Sequence, residues 1–124
     1  MAGTSFVKTG NYFTSLLPWA RYLLGSRRKT EPIVISCATN SYWPLLLNFL
    51  ARVERLDAAL PGRIGFVCLD RAIASRLKQI GAAPCLLQDD LNVSDSLQPL
   101  WQRRLWIARN LTAHGFGIIF SDGV

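Results

Sequence analysis

Arg104-Leu-Trp-Ile-Ala-Arg-Asn-Leu-Thr-Ala-His-Gly-Phe-Gly-Ile-Ile-Phe-Ser-Asp-Gly-Val124 reads as a helix, a glycine stop, an apolar strand and a carboxylate where that strand ends. In open α/β sheets ligands bind beyond the carboxyl ends of the strands, so Asp122 stands where chemistry is usually done. The same grammar recurs upstream. Ile33-Val-Ile-Ser-Cys37 is a β-branched run typical of a strand buried on both faces. Trp43 to about Leu60 carries apolar residues at 46, 49, 50, 53 and 56, a helical stripe opposed by Arg52, Glu54 and Arg55. Pro44 suits its first turn, where a missing N–H costs nothing, and Pro61-Gly62 ends it.

Ile64-Gly-Phe-Val-Cys-Leu69 predicts a second strand with Asp70 at its end. Residues 71–80 follow as a short basic helix, with Arg71, Arg76 and Lys78 outward and Ile73, Leu77 and Ile80 inward, stopped by Gly81. Pro84-Cys-Leu-Leu87 predicts a third strand, Gln88 to Ser96 a polar loop, Leu97 to Ala113 a third helix, and Phe116 to Phe120 a fourth strand. Strand and helix alternating at these lengths imply right-handed βαβ crossovers. The expected fold is α/β, a Rossmann-like parallel sheet of about four strands with flanking helices. The Gly-x-Gly-x-x-Gly fingerprint is missing after the first strand, which argues against a dinucleotide site of the usual kind.

Residues 1–31 read as a basic leader and linker, a helix or loose arm that packs loosely. The domain proper is expected over 32–124. The net charge of +6 comes from this leader: Lys8, Arg21, Arg27, Arg28 and Lys29 precede Glu31 with no acid among them, whereas nine basic residues face eight acidic ones from Glu31 onward. Arg27-Arg28-Lys29 is too short to be a groove-entering footprint, so no nucleic-acid partner is expected. No run approaches the ~20 apolar residues of a membrane span, and the leader lacks the basic-then-apolar order of a signal peptide. Cys37, Cys68 and Cys85 fit neither zinc spacing nor a CxxC pair and read as small core residues. Asn92-Val-Ser94 and Asn110-Leu-Thr112 match the glycosylation acceptor pattern, the second inside a predicted helix.

Polar groups gather at the predicted strand ends: Thr39-Asn40 after the first, Asp70 after the second, Asp122 after the fourth. An Asp there can hold a ribose hydroxyl, ligate a divalent metal or cap the next helix. His114, the only histidine, falls in a last helical turn, where a cation complements the dipole. Without a second partner it supports no Ser-His-Asp or Cys-His device. Asp89-Asp90 read as a solvated loop, Trp106 as core, and Trp101 as the tryptophan able to stack on a ligand.

Thr39-Asn40-x-Tyr42, Leu47-Asn48-Phe49-Leu50, Val67-Cys68-Leu69-Asp70, Trp101-x-x-Arg104, Gly115 and Phe120-Ser121-Asp122 follow one another in an order and spacing that resembles the nucleotide-diphospho-sugar transferase family. That family includes plant-type xylosyl- and arabinosyltransferases of GT-A fold, and the likeness runs from about Pro32 to the C-terminus. It implies a UDP-sugar donor site, a glycan or glycoprotein acceptor, and a setting in the Golgi or secretory lumen. It also implies Mn²⁺ or Mg²⁺ at a DxD motif, whose first Asp is matched by Asp122. Thr39, Asn40 and Tyr42 would lie against the nucleotide, Asp70 would reach the uridine or ribose, and Arg104 would meet the diphosphate. The second Asp is replaced by Val124, and the acceptor-binding half would lie downstream. The expectation is therefore a partial donor-binding half, truncated at the C-terminus and inactive alone. The competing expectation is a small non-catalytic Rossmann-like binding or scaffold module.

Overall fold

A computed structural model of the chain describes residues 12–28, 31–91 and 98–121. Five strands form one all-parallel sheet: β1 (Tyr12–Phe13), β2 (Pro32–Ala38), β3 (Ile64–Cys68), β4 (Cys85–Leu87) and β5 (Gly117–Phe120), in the spatial order β1-β4-β3-β2-β5. The helices are α1 (Leu16–Leu24), α2 (Trp43–Leu56), α3 (Arg71–Gln79) and α4 (Gln98–Ala113). Counted from β2, the chain steps outward twice to β3 and β4, then crosses back to place β5 on the other side of β2. That is the strand order 3-2-1-4 of a Rossmann-like half, with β1 added outside β4.

Alternation along the strands sorts side chains into two cores. Ile33, Ile35, Val67 and Leu86 point to the face covered by α1 and α4, where they meet Trp19, Leu23, Ile107 and Leu111. Ile64, Phe66, Cys68 and Cys85 point to the face covered by α2 and α3, among Leu46, Leu50, Ile73 and Leu77. A sheet sandwiched in this way needs strands apolar on both faces, which is why β2 and β3 show no polar alternation.

The N-terminal segment corrects the expectation of a loosely packed arm. Phe13 and Trp19 are fully buried, and β1 extends the sheet beside β4. Gly65 makes this possible: a Cβ there would lie 2.7 Å from Trp19 Cζ2 and closer still to the end of Leu23, so α1 can press on β3 only where β3 has no side chain. At its other end α1 is closed by Arg27, whose guanidinium donates to the carbonyls of Leu23 (2.8 Å) and Leu24 (3.3 Å).

Three other expectations shift. Leu56 is 82% exposed, about 80° round α2 from the buried Leu46, and Ile80 is also exposed, just past the end of α3. Trp106 is 48% exposed and not core: Ile107 and Leu111 take the inward positions of α4, and a residue one step before Ile107 is rotated by about 100°. Cys68 and Cys85 are buried core thiols, as expected, while Cys37 is partly exposed. Asn110 and Thr112 lie within α4 and bond its carbonyls, and Asn92 and Ser94 lie outside the described residues.

Candidate functional site

The order β3-β2-β5 reverses at β2: α2, which leaves β2, lies on one face of the sheet and α4, which leads into β5, on the other, so the carboxyl ends of β2 and β5 flank a topological switch point. From β2 the chain passes through Thr39 into a single 3₁₀ turn, Asn40–Tyr42, and then directly into α2. Asp70 follows β3 and is the residue that organises this edge. Its Oδ1 accepts from the Ile73 amide at 2.8 Å, capping α3. Its Oδ2 accepts from the Asn40 amide at 2.9 Å, thirty positions earlier. One carboxylate thus fixes the helix that follows β3 and ties down the turn that follows β2.

The turn is ordered on its own side as well, through the 2.7 Å hydrogen bond between the Thr39 and Ser41 hydroxyls. The Asn40 Oδ1 is buried and has no hydrogen-bond partner among the described residues. An acceptor held this way is one that a ligand's N–H or hydroxyl could satisfy. Tyr42 is exposed on the rim, and Trp43 beside it carries the Arg76 guanidinium 5.4 Å from its ring centroid. The first turn of α2 contains no acid, Pro44 lies within it, and Tyr42 gives it no side-chain cap. The Trp43 amide is taken by the Asn40 carbonyl and Pro44 has none, so this turn adds the positive end of the helix dipole to the edge.

Four of the sequence-derived donor residues, Thr39, Asn40, Tyr42 and Asp70, are accordingly brought into neighbouring loops. Arg104 is placed differently. It lies on the α4 face of the sheet with its guanidinium 4.9 Å from the ring centroid of Phe120, at the end of β5. Asp122 lies outside the described residues, which end at Ser121, whose amide donates to Ile35 at 2.8 Å. Among the described residues no three His, Cys, Asp or Glu side chains gather to hold a metal ion. No described helix is long and apolar enough to cross a membrane.

Comparison with known protein families, curated proteins and solved structures found no match to this chain. The weight therefore rests on the geometry. Two described cavities lie away from the switch point. One of about 360 Å³ is lined by Leu91, Pro99, Gln102, Arg103 and Trp106, and one of about 220 Å³ lies between α2 and the end of α3. Neither is lined by a strand-end polar group. Enclosed volume is the weaker guide in a sheet of this type, whose ligand crevice is an open edge.

Sequence reasoning missed Ser36, fully buried in β2 with its hydroxyl unpaired among the described residues. The signal was present, since a serine inside Ile-Val-Ile-Ser-Cys is the one polar side chain in an apolar run. His114 Nδ1 lies 2.8 Å from the Asn110 carbonyl in the last turn of α4, the capping role read from sequence. Asp89 and Asp90 each face an arginine, Arg71 at 3.2 Å and Arg103 at 2.8 Å. The second pair holds the Asp90 carboxyl below the usual carboxylate range.

Proposed function

We propose that this chain is the nucleotide-sugar-binding half of a glycosyltransferase, taking a UDP-sugar at the carboxyl ends of β2, β3 and β5. The observation that carries the reading is the Asp70–Asn40 link at the switch point. It joins the loops after the first two strands of a 3-2-1-4 sheet, where a nucleoside would lie. An acid ending the second strand of such a unit is suited to a ribose hydroxyl, and Asp70 keeps unused lone pairs on both oxygens for that purpose. Asn40 would offer its unpaired carbonyl oxygen to the base, Thr39 its hydroxyl, and Tyr42 a ring at the rim. Arg104 stands at the end of β5 and would meet the diphosphate.

Mn²⁺ or Mg²⁺ belongs to this reading through Asp122, the residue that matches the first Asp of the DxD motif. When bound, such a cation would neutralise the diphosphate as the leaving group departs. The acceptor, a glycan or glycoprotein, would need residues not found at this edge. The second reading is a small Rossmann-like binding or scaffold module without catalysis, for which the sheet order alone would suffice, since one fold serves many functions.

Calorimetric titration with UDP separates the two. The nucleotide-sugar reading expects weak binding that improves with Mn²⁺, loss of that improvement in Asp122→Asn, and weaker binding with or without metal in Asp70→Asn and Asn40→Ala. Binding that is absent, or equal in all four proteins and in chelator, leaves the scaffold reading standing.

A further inference from the structure

We draw no further inference here: the strongest candidate, the cavity of about 360 Å³ on the flank of α4 lined by Leu91, Pro99, Gln102, Arg103 and the exposed Trp106, carries no proposal, because its one charged group, Arg103, is already held by Asp90 and nothing in the structure shows what covers the rest.

Discussion

Gly65→Ala is the sharpest test of the fold, because the docked and undocked states of α1 predict opposite signs. Gly in a strand interior is less stable than Ala by about 0.5–1 kcal/mol, so on an open β3 the substitution would stabilise. In the structure the new Cβ would lie 2.7 Å from Trp19 Cζ2, 3.1 Å from Trp19 Cη2, and nearer still to a terminal methyl of Leu23. The Leu23 methyl can swing aside. Trp19 cannot, being fully buried against the sheet. Overpacking of a rigid ring costs about 1–3 kcal/mol, which exceeds the strand gain and leaves a net loss of about 1–2 kcal/mol. For a domain of this size that is a fall in Tm of roughly 4–8 °C. Urea titration and thermal melts of parent and variant measure it. Shortening Trp19 in the same background, Trp19→Leu, should cost less than it does in the parent, giving a coupling that two independent sites would lack. A Gly65→Ala protein as stable as the parent, or more stable, would mean that α1 does not rest on β3.

Asp70→Ala removes both a helix cap and a charge-assisted bond to the Asn40 amide, and should destabilise by about 2 kcal/mol in urea titration; a loss under about 0.5 kcal/mol would mean that the link does not persist in solution. Burial, and then the neighbouring Cys85 thiol, raise the Cys68 thiol well above its ordinary range. The fold therefore favours its protonated form, a contribution complete below the unfolded thiol pKa of about 8.5 and lost as pH climbs towards the raised folded value. Urea midpoints should fall above about pH 9, and more shallowly in Cys68→Ala; identical slopes in the two proteins refute this.

Periodicity carried the architecture because β2, β3 and α3 each have one unambiguous reading. Ile33 to Cys37 is too apolar for a solvated strand, and Asp70 followed by a basic amphipathic stretch is a helix start. It failed where a segment was apolar in two directions. In α4 both Trp106 and Ile107 lie on apolar stripes, and only packing against β2 and β5 selects Ile107. In α2, Leu56 is about 80° off the stripe that Leu46, Leu50 and Val53 bury, and Ile80 comes after the last residue of α3, so neither is covered by the sheet. β1 is two residues long and leaves no pattern, although Gly65 in mid-strand was a sign that another element comes close. At the site, the cap formed by Asp70 was legible from the residues around it. Its bond to Asn40 was not, because nothing local relates positions thirty apart until β2 and β3 pair.

That bond also determines how ligand binding at this edge must be read. Asparagine is as good an N-cap as aspartate, so Asp70→Asn should keep the Ile73 bond through its carbonyl and turn its NH₂ towards the Asn40 amide. Two donors would then face each other, and the Thr39–Tyr42 turn would be released. Weaker UDP binding in Asp70→Asn could thus report a lost ribose contact or a displaced loop. Asn40→Ala separates them. The Asp70 latch uses the backbone amide of Asn40, which alanine retains, while the buried carboxamide oxygen without a partner disappears. Removing an unsatisfied buried acceptor should leave stability unchanged or slightly raised. If that variant melts like the parent and still binds UDP more weakly, the crevice contacts the nucleotide directly. If its binding is unchanged while Asp70→Asn loses affinity, Asp70 acts by holding the loop, and Asn40 is not a ligand contact.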